Sequence, residues 1–302
     1  MDNFKPAYLT LLENAKFKER VQESHKLLEE CECCGWQCRV NRLHQQLGKC
    51  LTGEEALVSS YGPHHGEEAP LSGWKGSGTI FFARCNLNCV FCQNHDISQT
   101  DTGKPMTVYE LSSVMLHLQG LGCHNINLVS PSHVVPQIIE AIFHAASNGL
   151  TIPIVYNTGG YDSLLSLKLL DGIIDIYMPD MKYADDKIAK KYSGIPKYAQ
   201  INRQAVKEMH LQVGNLQVND LGLATRGILI RHLVLPDKLA GTEEIMKFIA
   251  SELSTDTFIN IMDQYHPEHF AHQYPEINRR IVQDEYSDAI KCAKDCGLFR
   301  LD

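Results

Sequence analysis

Cys85, Cys89 and Cys92 place three thiols in one short stretch, Arg84-Cys85-Asn86-Leu87-Asn88-Cys89-Val90-Phe91-Cys92-Gln93-Asn94. The spacing is C-x3-C-x2-C, with an aromatic residue just before the last cysteine. Thiolates are soft ligands that select zinc, copper(I) or iron–sulfur clusters. A closed structural zinc takes four ligands. Three local cysteines with no evident fourth point to a [4Fe–4S] cluster with one iron left open. The competing readings are buried free thiols, or a zinc site completed by His95. A second set, Cys31, Cys34, Cys38 and Cys50, runs C-x2-C-x3-C-x11-C, with Cys33 in addition. Four thiolates at this spacing suit zinc or an auxiliary iron–sulfur cluster, against reduced free thiols. A cluster there would relay electrons or bind substrate; a zinc would only staple the extension to the rest. Cys292 and Cys296, at i and i+4 of a helical pattern, and Cys123 read as ordinary buried thiols.

The chain that carries these thiols has 302 residues, enough for one large domain or two smaller ones. Its net charge of -8 argues against non-specific binding to nucleic acid or acidic membranes. The N-terminal residues include Asp2, Lys5, Glu13 and Lys16, so no apolar signal core is expected. The most apolar run, Gly227 to Leu235, is cut by Arg231 and is too short to span a bilayer. Clustered cysteines in a reducing compartment bind metal more often than they pair as disulfides. A soluble, cytoplasmic protein with no membrane or nucleic-acid partner is expected.

The elements that position the thiols follow from periodicity. Residues 7 to 30 read as one amphipathic helix leading into the first cysteine set. Residues 51 to 78, with Tyr61-Gly62-Pro63-His64-His65-Gly66, read as loop. Strand-like apolar runs follow at Thr79–Ala83, Asn125–Ser130, Ile152–Thr158, Asp175–Met181, Gly227–Leu235 and Phe258–Met262. Helical patterns separate them. Thr107-x-x-Glu110 is a capping box, Asp162 is a candidate cap for Ser163–Leu170, and Thr242 for Glu243–Leu253. Asp284–Cys296 ends at Gly297, a suitable C-terminal glycine. Strands alternating with helices imply parallel βα units, as an open sheet or a partial barrel. The Cys85 loop directly follows the first strand, at the end where such folds place their sites.

At these residues the sequence resembles the radical S-adenosylmethionine (radical SAM) superfamily. Its members carry C-x3-C-x-aromatic-C after the first strand of a partial (β/α)6 TIM barrel. The runs Gly76-Ser77-Gly78-Thr79-Ile80-Phe81-Phe82, Cys92-Gln93-Asn94, Asn157-Thr158-Gly159-Gly160-Tyr161, Arg231-His232-Leu233-Val234-Leu235-Pro236 and Gln264-Tyr265-His266-Pro267 are similar to the pyruvate formate-lyase activating enzyme-like branch. The resemblance covers roughly residues 70 to 300. It implies an α/β fold with a helical, cysteine-rich extension over 1–69 and a radical SAM core over 70–302. Cys85, Cys89 and Cys92 would hold three irons, S-adenosylmethionine would chelate the fourth, and Phe91 would lie near the adenine. An electron donor such as a flavodoxin or ferredoxin is implied, and a protein substrate if the chain activates a glycyl radical protein.

Other strand-end residues join this reading. Asp180 and Lys182 match an Asp-x-Lys near the cofactor in such enzymes, with Lys182 a candidate partner of the cofactor carboxylate. The competing reading is a surface ion pair. Asn157 and Thr158 are candidates for polar cofactor groups. Arg231 interrupts an apolar strand, a costly position unless the charge is paired, and belongs either at the site or in a buried ion pair. The sequence departs from the family where a Gly-Gly-Glu-like stretch is expected to hold the cofactor amino group. Ser130-Pro131-Ser132-His133 stands there, so the hydroxyl of Ser130 or Ser132 is the candidate substitute, and His133 is either a ligand contact or a surface histidine. The loop Asp263 to Ile277 is the first candidate for substrate contact. The expected function is reductive cleavage of S-adenosylmethionine and hydrogen abstraction, in an activating enzyme. The alternatives are radical modification of a peptide or small metabolite, and a non-catalytic iron–sulfur or zinc protein.

Overall fold

A computed structural model describes residues 4–302. Nine strands form one sheet: β1 (Ala56–His64), β2 (Ser77–Phe82), β3 (Lys104–Met106), β4 (Ile126–Val129), β5 (Ile154–Thr158), β6 (Ile176–Pro179), β7 (Gln217–Val218), β8 (Ala224–Leu233) and β9 (Phe258–Met262). The pairs β2–β4, β4–β5, β5–β6, β6–β8 and β8–β9 are parallel. These are the six strands expected from the apolar runs. β1 pairs antiparallel with β2 and β3, and β7 antiparallel with β8. The sheet is mostly parallel and is not closed by hydrogen bonds between β1 and β9.

The helices are α1 (Ala7–Glu13), α2 (Phe17–Glu29), α3 (Ala69–Ser72), α4 (His95–Ser98), α5 (Val108–Gly120), α6 (Val135–Ser147), α7 (Leu164–Leu170), α8 (Asp186–Ser193), α9 (Tyr198–Val213), α10 (Thr242–Glu252) and α11 (Gln283–Asp295). They divide the sheet into two chemically different faces. Ile80, Leu128, Ile154, Tyr177, Ile230 and Ile259 point outward into one large core with Leu111, Ile138, Val206 and Ile245 from the helices. Alternate residues point inward, as the strand period of two requires. Val155, Ile176, Met178 and Leu229 meet Leu71 of α3 there in a smaller apolar layer. Asn157, Asp180, Arg231 and Asn260 share that face toward the strand ends, in register with Met178 and with one another. Among the described residues no helix is long and apolar enough to cross a membrane.

Several expectations need correction. The single helix over 7–30 is two, broken at Asn14–Lys16, where Ala15 adopts a left-handed φ of 58°. Part of the segment read as loop over 51–78 is β1. Asp162 does not cap α7; the Ser163 hydroxyl accepts from Ser166 N instead. The carboxylate of Asp162 accepts from Tyr156 Oη at 2.8 Å and Thr158 Oγ1 at 2.7 Å. Thr242 is the first residue of α10 rather than its cap, which is Gly241. The Thr107–Glu110 capping box is present, and Gly297 takes φ 81° after α11.

Candidate active site

Immediately after β2, Arg84 takes a left-handed φ of 68° and turns the chain into the cysteine loop. Three backbone hydrogen bonds pin that loop from outside. Asn88 N donates to Ser193 O at 3.1 Å, Val90 N to Tyr192 O at 2.8 Å, and Phe270 N to Val90 O at 2.8 Å. The end of α8 and the Asp263–Ile277 loop therefore hold the cysteines in place. Gln93 and Gln99 add contacts to Gln264, His266 and His269.

Cys89 is buried and Cys85 and Cys92 are half-buried. Cys89 Sγ accepts from Ser193 Oγ at 2.9 Å, and Cys92 Sγ lies 3.2 Å from Ser98 Oγ. Burial pushes the Cys85 thiol up to about 12 and the Cys89 thiol up to about 11, with the Lys182 ammonium opposing the second shift. Binding a cluster must therefore release protons from this loop. His95 turns away from the thiols: its Nδ1 lies 3.2 Å from Cys92 O and its ring stacks on His269. Among the described residues no three or more His, Cys, Asp or Glu side chains are disposed to hold a single metal ion. The donor set fits a [4Fe–4S] cluster: three soft thiols on one pinned loop, with a cation beside them and no fourth side-chain ligand from His95.

Beside the loop the structure brings together four of the residues read from sequence. Lys182 Nζ donates to Asp180 Oδ2 at 2.6 Å. Arg231 Nε donates to Asp180 Oδ1 at 2.9 Å, and its Nη2 to Asn157 Oδ1 at 2.7 Å. Asp180 thus serves two cations. Burial works against its charge, but Arg231 and Lys182 together hold its carboxyl below the ordinary range. The Asp180–Lys182 pair is partly buried, so the surface ion-pair reading fails. Tyr198 Oη donates to Gly159 O at 2.9 Å and Asn202 Nδ2 to Asp180 O at 2.9 Å, locking the backbone under this network. Gly160, at φ 75°, has no room for a Cβ, which would lie 2.1 Å from Asn202 Nδ2.

Other candidates lie elsewhere. Phe91 is packed edge-on between Tyr265 and Tyr183, with centroids 5.6 and 6.4 Å away. Thr158 commits its hydroxyl to Asp162 and lies 2.9 Å from Ser132 Oγ, on the outer face. Ser130, at φ 58°, directly follows β4 and is half-exposed. His133 is not a surface residue: it is buried, with Nε2 3.1 Å from Ala83 O. Burial and then the nearby Arg42 push it down to about 4, so the ring is neutral.

The second cysteine set is closed. Cys31, Cys33, Cys34, Cys38 and Cys50 line a cavity of about 10 Å³, room for one water-sized object, with Arg42 and His133. Arg42 is 1% exposed. It donates through Nε and Nη2 to Gly53 O and through Nη1 to His133 O, and Cys33 Sγ lies 3.8 Å from Nη1. No carboxylate among the described residues pairs with it. Trp36 Nε1 donates to Asn86 O at 2.7 Å, joining this set to the residue after Cys85. Cys50 and Cys85 border one cleft of about 320 Å³.

Sequence reading missed Asn127, Asn260, Glu67 and Glu68. The first two were findable: each is a lone polar residue in the inward phase of an apolar strand, as Arg231 is. The glutamates lay in a segment read as loop.

The radical SAM superfamily model matches residues 79–215. The chain is 32% identical over 289 residues to Uncharacterized protein MJ0674 of Methanocaldococcus jannaschii, covering 92% of this chain and 78% of that one. Methylornithine synthase (PylB) superposes with a TM-score of 0.50 at 13% identity, over 74% of this chain and 63%, under two thirds, of its own. HydG, a maturase of the [FeFe]-hydrogenase, gives 0.48 at 13% identity, over 71% and 47%. The first of these shows likeness of fold alone. The family match over the cysteine loop and the strands that follow it, together with the pinned three-thiol site, identify the chain as a member of the radical SAM superfamily.

Proposed function

We propose that this chain cleaves S-adenosylmethionine reductively and uses the resulting radical to take a hydrogen atom from a substrate on the inner face of the sheet. The observation that carries this is the three-thiol loop facing Lys182 and Asp180 at the ends of parallel strands. Cys85, Cys89 and Cys92 would hold a [4Fe–4S] cluster, which would supply the electron for reductive cleavage of the carbon–sulfur bond of S-adenosylmethionine. Lys182 offers its ammonium to the cofactor carboxylate, and Asp180 keeps that side chain charged and fixed. Arg231 and Asn157 brace Asp180. Phe91 and its tyrosine neighbours exclude water and stray hydrogen donors from the adenine side. Ser130 lies where the cofactor amino group is expected.

We read the open sheet as a partial (β/α)6 barrel, with residues 1–69 as its extension. The activating-enzyme reading takes the hydrogen from a glycine of a partner protein, with a flavodoxin or ferredoxin as electron donor. A second reading, modification of a peptide or small metabolite, is favoured by the buried polar side chains Asn127 and Glu68 on the inner face. We read the N-terminal cysteines as an auxiliary site for zinc or a cluster. Their spacing and the buried Arg42, which no carboxylate among the described residues pairs with, support it. Clustered cysteines suit a reducing compartment, and we place the enzyme in the cytoplasm.

The test is spectroscopic. The reconstituted full chain should change its cluster electron paramagnetic resonance signal on adding S-adenosylmethionine, and form 5′-deoxyadenosine with dithionite. The Cys85/Cys89/Cys92→Ala variant should lose both and keep its N-terminal metal. A fully loaded wild type with no response to S-adenosylmethionine would refute the proposal.

A further inference from the structure

The inner face carries a polar layer that the cofactor reading leaves unused. Glu67 and Glu68 enter it from the segment before α3. Glu68 is 7% exposed; its Oε1 accepts from Asn260 Nδ2 at 3.0 Å, while its Oε2 is buried without a partner. Asn127 is fully buried, and neither its Oδ1 nor its Nδ2 has a partner. The Glu67 side chain is 9% exposed, with His64 Nδ1 3.8 Å away; Arg231, His64 and the Asn127 amide, which lies beside it without a close hydrogen bond, all favour its charge, and Glu68 opposes it.

Buried polar atoms are nearly always paired, because an unpaired one costs about 1–3 kcal/mol. Three such atoms in one layer mark a place that something else completes. The charges say what. Lys182 and Arg231 both converge on Asp180, so Glu67 and Glu68 are left with the outer field of Arg231 and, at Glu67, the imidazole of His64. Three carboxylates then face two cations. Burial pushes the Glu67 carboxyl above its usual range, as it does where counter-charge is short. A guest with positive N–H donors would satisfy Glu68 Oε2 and Asn127 Oδ1. Asn127 Nδ2 would remain to donate to a carbonyl or hydroxyl beside that nitrogen.

We propose that Glu67, Glu68, Asn127 and Asn260 are the substrate-recognition layer, and that the substrate carries an ammonium or guanidinium group next to an oxygen acceptor. This rests on the radical SAM reading only in taking the inner face as the place where substrate is held. S-adenosylmethionine also bears an ammonium group, so the test must separate the two sources.

Calorimetry on the cluster-loaded full chain with S-adenosylmethionine present would use three probes: glycinamide, arginine amide and the neutral 1,4-butanediol. The amines should bind and the diol should not. Glu68→Gln, which keeps an acceptor for Asn260, should weaken amine binding about tenfold or more with S-adenosylmethionine affinity at the wild-type value. Glu67→Gln gives the same reading should Glu68→Gln not fold. Three results overturn the inference: no amine binding at millimolar concentration, equal binding of the diol, or a loss that falls on S-adenosylmethionine instead. A wild type whose cluster signal responds to S-adenosylmethionine yet binds no amine refutes this inference alone. Absence of that response refutes the reading beneath it.

Discussion

Cys85, Cys89 and Cys92 lie on a loop beside Lys182 and Asp180, with the inner face of the sheet beyond. Cys31, Cys34, Cys38 and Cys50 surround a cavity of about 10 Å³, with the buried Arg42 beside them. Both sets are soft-donor sites. They differ in where their neighbours' charge is spent. At the first set, one carboxylate holds two cations at the ends of parallel strands. At the second, a guanidinium is held by two backbone carbonyls and its remaining neighbours are thiols. A carboxylate shared by two cations leaves them able to re-pair with a ligand's own carboxylate; a guanidinium fixed by carbonyls is left to balance charge on the thiols beside it.

The largest way to break this contrast is at Arg42. Replacing it with Met leaves Gly53 O and His133 O buried without their donor, and should cost about 3 kcal/mol of stability by chemical denaturation. Iron and zinc analysis should show loss of N-terminal metal with the Cys85-loop signal intact. Loss of both would mean that the two sets are one unit. Next comes Asp180→Asn, which strips Lys182 and Arg231 of their shared counter-ion. S-adenosylmethionine affinity should fall about ten- to hundredfold, with N-terminal metal content unchanged; an unaltered affinity would remove Lys182 from the cofactor site.

The last test is a control remote from both sets. Asp175, below β6, accepts from Ala7 N at 2.8 Å and Ile154 N at 3.1 Å. Burial pushes its carboxyl up to about 7 despite these donors. A raised carboxyl binds its proton more tightly folded than unfolded, so its contribution is present in full at acid pH and is lost as pH rises through 7. The stability gap between wild type and Asp175→Asn should therefore narrow by about 2–3 kcal/mol from pH 5 to pH 8. A gap that widens over this range would show that the carboxylate is better solvated than its burial implies.

The parallel strands were legible because their outer faces repeat apolar residues at a period of two against amphipathic helices. The metal loop was legible because its thiols are local in sequence. What was hidden is set by contacts between distant segments. Gly62 and Pro63 made β1 resemble a loop, yet residues 59–64 have a strand neighbour on one side only, where a missing N–H is tolerated. Nothing in Asn14-Ala15-Lys16 marks a helix break. Asp162 and Ser163 are equally good caps by type, and Tyr156 and Thr158 decided between them by claiming the aspartate. Asp180 and Lys182 were read as a pair, but only the pairing of β6 with β8 brings Arg231 onto the same carboxylate.

The antiparallel pairing of β1 with β2 has a further consequence. Residues 56–64 cover the free edge of the first parallel strand. A chain begun at residue 70 would expose the N–H and C=O row of Ser77–Phe82, a template for strand addition by a second molecule. Residues 56–64 therefore act as an edge guard: trimming the chain to residues 70–302 should yield aggregates rather than a smaller folded protein.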